Sequence, residues 1–284
     1  MTTAALVCGD LLWGEAPRPH GNDIWLSDTQ AGQLVRITPT GVERLPLDSP
    51  TNGLWFLPDG RLAAARWADK RIDVFEDGSF APYADLSLLV RDRLGDMTGA
   101  PDGRLYVDDM GTNPHSGDPI GRILVVDPDG TARVAADGLR FPNGLAVLGD
   151  VLIVAETHGG CLTAFDIEAD GTLVNRRVWS DLVGILGPLH RPDGIWPAAD
   201  GSIWVAATAG NEFVRVMGDR VLERIPTSGE FAVACCVRGD EIFLSASRST
   251  DPTLDLITEA IPRKQIRGSL TRVQLAPTSK TPNQ

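Results

Sequence analysis

Three residues with oxygen-bearing side chains occupy comparable places in a repeated motif of this 284-residue chain, namely Glu15, Asn143 and Asp193. Each precedes a short β-rich run that leads into a glycine-containing turn. Carboxylate and amide oxygens brought to one point repel each other and lose hydration, and a bound cation removes that cost. Because the set contains no thiolate or imidazole, it favours Ca²⁺, with Mg²⁺, Mn²⁺ or Zn²⁺ as alternatives. The pattern therefore predicts one divalent metal ion.

An ordinary turn is the competing interpretation of the Asn-Gly and Asp-Gly pairs at 143–144 and 193–194, because both pairs are common in turns. The phase of the motif argues against it. The turns of the motif, such as Pro58-Asp59-Gly60, come at the other end of the strand. Asn143 and Asp193 are therefore expected at the strand entry and not in the turn.

The motif itself recurs six times, and its most complete copy spans 52–63. Two further β-rich runs follow most copies, which gives four candidate strands per unit. This pattern predicts an all-β fold, a six-bladed β-propeller with four antiparallel strands per blade. The turn glycines are spaced 38 to 52 residues apart, at Gly21, Gly60, Gly103, Gly149, Gly201 and Gly239. Two stacked β-domains without radial symmetry are the alternative.

The last unit has only one clear strand after its long insertion, at 268–273. The N-terminal segment 4–8 is expected to supply the missing outer strand, which closes the ring and covers an open sheet edge. On this interpretation residues 1–284 form a single propeller domain, and 276–284 are a polar tail that frays.

Propeller topology predicts which other residues share the mouth with the metal site, because strand entries and the loops after second strands lie on one face. Asn52 and Asp96 are at strand entries, whereas Asp108 and His158 follow second strands. Two insertions, 111–120 and 247–267, lie on the same face and are expected to be either lids or plain surface loops. Most tryptophans fall on strands and are expected to pack between blades, including Trp13.

Composition excludes several classes of function. Thirty-eight acidic residues against 26 basic ones give a net charge of −12, which argues against nucleic-acid binding. No apolar run is long enough to span a membrane, and the first residues do not resemble a secretory signal. The four cysteines are then expected to be reduced thiols in a cytoplasmic protein. The expected partner is a small molecule, and the expected oligomeric state is a monomer or weak homodimer.

From Leu12 to Leu275 the chain resembles the senescence-marker-protein/gluconolactonase/luciferin-regenerating-enzyme family. The segments that carry the resemblance are 14–17, 140–146 and 191–195. The resemblance implies a six-bladed propeller in which Glu15, Asn143 and Asp193 ligate the metal. A further family segment, Arg-x-Asn-Asp-Gly, contacts substrate and here reads Arg93-Leu94-Gly95-Asp96-Met97. The missing Asn makes the mouth roomier and more apolar, and it weakens the expectation of a sugar lactone.

The family chemistry implies a metal-dependent hydrolase that opens a lactone or related cyclic ester. Asp193 is the first choice for a catalytic carboxylate that acts on water and Asp96 the second, since a carboxylate base is needed beside Ca²⁺. Substrate contacts are expected from Arg93, Asn52, Asp96, His158 and Asp108. The alternatives are a propeller esterase or phosphotriesterase, another ring-opening enzyme, and a non-catalytic calcium-binding scaffold.

Overall fold

A computed structural model of the protein describes residues 4–276 and shows a six-bladed β-propeller. Its first strand is β1 (Ala5–Leu11). Blade 1 contains β2 (Gly14–His20), β3 (Asp23–Asp28), β4 (Gln33–Thr38) and β5 (Gly41–Pro46). Blade 2 contains β6 (Thr51–Phe56), β7 (Leu62–Arg66), β8 (Arg71–Glu76) and β9 (Ser79–Asp85). Blade 3 contains β10 (Leu94–Gly99), β11 (Leu105–Asp109), β12 (Gly121–Val126) and β13 (Ala132–Leu139).

The second half of the ring repeats this order. Blade 4 contains β14 (Pro142–Leu148), β15 (Val151–Glu156), β16 (Cys161–Ile167) and β17 (Leu173–Ser180). Blade 5 contains β18 (Pro192–Pro197), β19 (Ile203–Ala207), β20 (Glu212–Met217) and β21 (Arg220–Pro226). Blade 6 combines β1 with β22 (Phe231–Arg238), β23 (Glu241–Ser249) and β24 (Ile266–Gln274). The predicted four antiparallel strands per blade are confirmed.

Ring closure also occurs as predicted, because β1 is the outer strand of blade 6. It pairs antiparallel with β24, with Ala5 opposite Arg272 and Leu11 opposite Gly268. The first described strand therefore covers the edge that β24 would otherwise leave open. Most of the tail predicted to fray, residues 277–284, lies outside the described residues.

Glycines at the strand entries allow the innermost strands of neighbouring blades to approach closely. A Cβ atom on Gly53 would lie 2.4 Å from the backbone nitrogen of Met97, and one on Gly144 would lie 2.5 Å from that of Ile195. Real Cβ atoms do not come this close to a neighbour. The Asn-Gly and Asp-Gly pairs therefore belong to strands, where the glycine serves packing and the preceding side chain is left at the channel.

The helices are short and lie in loops between strands: α1 (Leu182–Leu186), two 3₁₀ turns (Pro114–Ser116 and Thr208–Gly210) and one π-helical turn (Leu256–Ala260). Within residues 4–276, none of these has the length and apolar character that crossing a bilayer requires. The apolar core lies in layers between adjacent blades, for example where Leu105 and Leu124 of blade 3 pack with Ala63 and Ile72 of blade 2.

Candidate functional site

One mouth of the central channel opens into a cavity of about 670 Å³ whose walls come from all six blades and their loops. Six predicted site residues line it: Glu15, Asn52, Arg93, Asn143, His158 and Asp193. Both predicted insertions reach it as well, through Thr112 and His115 from one and Ile257 and Ile261 from the other. The sequence interpretation placed these residues on one face, and the structure brings them around one space.

The three predicted metal ligands are held by neighbours that leave oxygens free. Glu15 is buried, and its Oε1 accepts a 2.7 Å hydrogen bond from the Trp13 indole Nε1. Its Oε2 is buried without a partner, as is Oδ1 of Asp193. The Asn143 amide nitrogen points to Thr157 Oγ1 at 3.4 Å, and Thr157 in turn donates to the Pro192 carbonyl. This chain of contacts fixes the amide next to Asp193.

Burial raises the pKa of Glu15 and of Asp193 well above the ordinary values, and the nearby charge of Asp96 adds to both shifts. The repulsion between Glu15 and Asp193 raises the pKa of Glu15 further. Desolvated carboxylates that repel each other are costly unless a cation or a proton compensates them.

A divalent ion fits this donor set, since unpartnered buried oxygens of two carboxylates beside an amide are what a hard cation takes as ligands. Among the described residues, no three His, Cys, Asp or Glu side chains form a group that could hold a metal by themselves. A metal site at this position would therefore need a neutral oxygen beside the two carboxylates, and the predicted ligand Asn143 could supply one.

Asp96 and Asp108 are buried and are not among the residues that line the cavity. The Asp96 backbone nitrogen donates to Asp108 Oδ2 at 2.8 Å, and one carboxylate oxygen of each residue has no partner. Burial raises the pKa of Asp108 well above its usual range, helped by the charge of Asp96. The roles of Asp96 as a base and of both residues as substrate contacts stay predictions. Asp193 is buried too but, unlike these two residues, it lines the cavity.

Gly95 explains where the Asp108 carboxylate goes. A Cβ atom at Gly95 would lie 2.3 Å from Asp108 Oδ1, so Asp108 fills the space in which a side chain at 95 would start. The replacement of the family's Asn by Gly is thus coupled to the packing of Asp108. An asparagine could not be restored there without moving a buried carboxylate.

Arg18 supplies a fixed positive charge inside the channel. Its guanidinium is buried and donates to the carbonyls of Leu54 at 2.8 Å and of Met97 at 2.9 Å. It lies between the rings of Trp55 and Trp196, 5.6 and 5.4 Å from their centroids. Burial raises the pKa of Asp96, whereas the charge of Arg18 lowers it. Arg18 therefore favours the ionised form of Asp96.

His158 is held in one tautomer by an arginine. Arg191 Nη1 lies 2.7 Å from His158 Nδ1, and because arginine can only donate, Nδ1 is the acceptor. The ring proton then sits on Nε2, which is buried without a partner. Burial and the charge of Arg191 lower the pKa of His158, which favours the neutral ring. His158 thus provides a neutral N–H donor at the cavity wall, packed against Phe141.

Two arginine contacts and one tryptophan were not anticipated from the sequence. Arg191 was noted only as part of a family segment, and Arg93 was not expected to stack on Trp67, 4.9 Å from its ring centroid. The assignment of Trp13 to packing between blades was incomplete, because its ring lines the cavity and binds Glu15. Its position two residues before Glu15 was the available signal, since alternate strand residues share a face.

Comparison with known proteins identifies the family and the fold. The sequence model of one protein family, described as the SMP-30/gluconolactonase/LRE-like region, matches residues 13–245 of this chain. A luciferin-regenerating enzyme has a similar structure, with a TM-score of 0.82 at 17% identity over 96% of this chain and 95% of that one. Regucalcin from Agrobacterium tumefaciens, described as a calcium-binding protein, gives a TM-score of 0.78 at 20% identity over 97% and 96%.

A third solved structure, a gluconolactonase from Xanthomonas campestris, gives a TM-score of 0.75 at 21% identity over 97% of this chain and 90% of that one. Identities this low support the fold and not a shared substrate. Family membership rests on the match to the family model, which covers most of the chain. The matched range contains positions 15, 143 and 193. The chain belongs to the SMP-30/gluconolactonase/LRE-like family.

Proposed function

We propose that this protein is a metal-dependent hydrolase that opens a lactone or related cyclic ester at the channel mouth. Membership of a family that includes gluconolactonases supports a lactonase-type activity. The observation that carries the metal-dependent form is the pair of buried, unpartnered carboxylate oxygens of Glu15 and Asp193 beside Asn143, facing a cavity large enough for a small molecule. A scaffold that bound calcium only for stability would not need its ligands at an open mouth.

Glu15, Asn143 and Asp193 would hold the ion, with Ca²⁺ as the proposed metal. When bound, such an ion polarises a carbonyl group and lowers the pKa of water. Asp193 lies at the cavity wall, and as a ligand beside the bound water its carboxylate would also accept the proton of that water as the water adds to the ester carbonyl carbon. The ring C–O bond then breaks, and the protonated Asp193 would return this proton to the leaving oxygen to give the hydroxy acid.

The remaining wall residues orient the substrate. Asn52 presents a buried side-chain oxygen without a partner and can accept from a substrate hydroxyl. Arg93 rests on Trp67 and its Nε donates to Asp92 Oδ2 at 2.8 Å, so its remaining N–H groups could hold a substrate oxygen at the rim. His158 donates from Nε2 to the carbonyl or leaving oxygen, and its fixed tautomer spares the cost of reorienting the donor during the reaction.

Hydrolysis of a panel of lactones with and without a chelator tests the proposal. We expect turnover of at least one lactone, loss of that turnover after chelator treatment, and recovery when Ca²⁺ is added. Chelator-insensitive hydrolysis would refute the metal-dependent mechanism. Calcium binding without hydrolysis of any lactone, ester or phosphotriester in the panel would favour the non-catalytic scaffold.

His158 and Arg191 give a second test, which does not depend on metal content. ¹⁵N NMR of labelled histidine is expected to show His158 with its proton on Nε2, and Arg191→Met is expected to mix the two tautomers. His158→Gln retains a donor and is expected to keep more activity than His158→Phe, which should lose about tenfold in kcat/KM, the worth of one hydrogen bond. An Nδ1-protonated ring in the wild-type protein would rule out this role.

A further inference from the structure

One side of the cavity forms an apolar wall, defined here as Trp13, Phe231, Ile257, Ile261 and Pro262. Trp13 and Phe231 pack together with ring centroids 5.7 Å apart. The other three residues come from the insertion between β23 and β24 and cover the same side. Phe231, Ile257 and Ile261 remain partly accessible from the cavity. This wall thus presents carbon surface to whatever occupies the cavity.

The insertion that carries the wall is firmly held. Its π-helical turn is capped by Asp255, whose Oδ1 accepts a hydrogen bond from the Thr258 backbone nitrogen at 2.8 Å. The backbone nitrogen of Asp255 in turn donates to the Glu259 carboxylate. Ala260 is fully buried and packs in one cluster with Trp13, Val233 and Ile266. The apolar wall is therefore part of the folded structure, and its side chains need not be ordered by the ligand.

The apolar wall is continuous with the candidate metal site. Trp13 is largely buried but lines the cavity, and its Nε1 atom donates to Glu15 Oε1 at 2.7 Å. A substrate whose carbonyl lies at Glu15 and Asp193 would place an adjacent substituent against this tryptophan. The reacting group and the substituent are thus recognised by connected parts of one surface.

A polyhydroxylated ring does not suit this surface. Each substrate hydroxyl that leaves water needs a hydrogen-bond partner, and an unpaired one costs binding free energy. Carbon atoms of the apolar wall offer no such partner, and Gly95 provides no side chain where the family pattern has a substrate-contacting Asn. A side chain at position 95 could not restore that contact unless the Asp108 carboxylate moved, because a Cβ atom there would lie 2.3 Å from Asp108 Oδ1.

We propose that the substrate is a lactone bearing an apolar side chain, which lies along the apolar wall while the lactone carbonyl faces Glu15 and Asp193. This inference rests on the proposed lactonase function and narrows its substrate class. The side chain contributes binding by removing apolar surface from water, whereas the polar groups of the cavity serve the ring.

A homologous series of γ-lactones with alkyl chains of one to six carbons provides the test. We expect kcat/KM to rise about fourfold for each added methylene until the wall is covered, which corresponds to the free energy of burying one CH₂ group. Glucono-δ-lactone is expected to fall at least about tenfold below the best alkyl lactone. In Ile257→Ser and Ile261→Ser, kcat/KM should rise less with each added methylene than it does in the wild-type protein. Val178→Ser changes an exposed residue of strand β17 and should show the wild-type dependence on chain length.

Calorimetric binding of 3-alkylcyclopentanones, the carbocyclic analogues of the γ-alkyl lactones that cannot be hydrolysed, separates failure of this inference from failure of the proposed function. If no lactone turns over, tighter binding with longer chains that is lost in Ile257→Ser still supports recognition of an apolar side chain by the wall, and the failure then lies with the proposed lactonase function. Hydrolysis that ignores chain length or prefers glucono-δ-lactone overturns the inference and leaves the lactonase function standing. Chain-length-independent binding of the ketones by the metal-loaded protein also overturns it.

Discussion

Replacing Asp193 with asparagine is expected to lower kcat about 10³-fold or more on any lactone the wild-type protein hydrolyses, since a general base alone accounts for about 10²–10⁴-fold. Asn keeps the size and one oxygen of the side chain but removes both its negative charge and its capacity to take a proton. The same change at Asp96 is expected to have a smaller effect, because Asp96 does not line the cavity. Single-turnover and steady-state kinetics of both variants measure the difference.

Two controls make the Asp193→Asn result interpretable. Asp150→Asn makes the same chemical change at an exposed turn between β14 and β15, and it is expected to leave kcat unchanged. Calcium content of Asp193→Asn, measured by elemental analysis, shows whether the metal is still bound. A folded, calcium-containing Asp193→Asn with wild-type kcat would remove this residue as the base and move the assignment to Asp96.

Calcium is expected to stabilise the wild-type protein strongly and Glu15→Gln hardly at all. At about one hundred times the Kd, a ligand that binds only the folded state adds about 2.7 kcal/mol to the free energy of unfolding. For a chain of this size that corresponds to an increase of about 4 °C in Tm. Glu15→Gln removes one of two anionic ligands, so its Tm should be nearly independent of calcium. Differential scanning calorimetry with and without calcium measures both.

In the absence of calcium, the order of stability of the wild-type protein and Glu15→Gln should be reversed or the difference lost. Burial raises the pKa of Glu15 in the folded state, so the folded protein holds this proton more tightly than the unfolded chain does. The cost of ionising Glu15 is absent below the ordinary value of 4.5 and grows as the pH rises toward the folded-state pKa. Without calcium, Glu15→Gln should therefore be at least as stable as wild type at neutral pH.

Glu168→Gln, at an exposed turn between β16 and β17, is the matched control and should retain the full calcium-induced shift. If Glu15→Gln shows the same shift as Glu168→Gln, Glu15 is not a ligand and the three-residue assignment is wrong. An equal calcium response would also leave the buried, unpartnered oxygen of Glu15 without an explanation.

The sequence predicted the architecture well because propeller repeats encode it locally. The turn glycines and strand entries have a regular phase, so the six sheets and the common placement of Asn52, Asn143 and Asp193 followed from spacing alone. The spacing of the repeated motif could not predict contacts between side chains of different strands or blades. The hydrogen bond from Arg191 to His158 and the approach of Asp108 to Gly95 depend on side-chain direction and on packing that no local pattern records.

Asp108 and Trp13 illustrate the limit most directly. Both were placed at the mouth or in the blade interfaces by their position along a strand, but successive residues of a strand point to opposite faces. Asp108 points toward the strand of Gly95 and is buried, whereas Trp13 reaches the cavity. An uncertainty of one residue in the predicted strand phase is enough to exchange a wall residue for a buried one.

The pairing of β1 with β24 has a consequence for how the protein folds. Glu15 lies in the first blade and Asp193 in the fifth, and the blade between them in the ring is built from both ends of the described chain. The two carboxylates are therefore brought together by contacts of very high sequence separation, which form slowly. During synthesis, blades 1 to 5 are expected to stack while the channel is still open, because only blade 6 needs β24 to emerge and meet β1. Assembly of the candidate site is thus a late kinetic event that reports on closure of the whole ring.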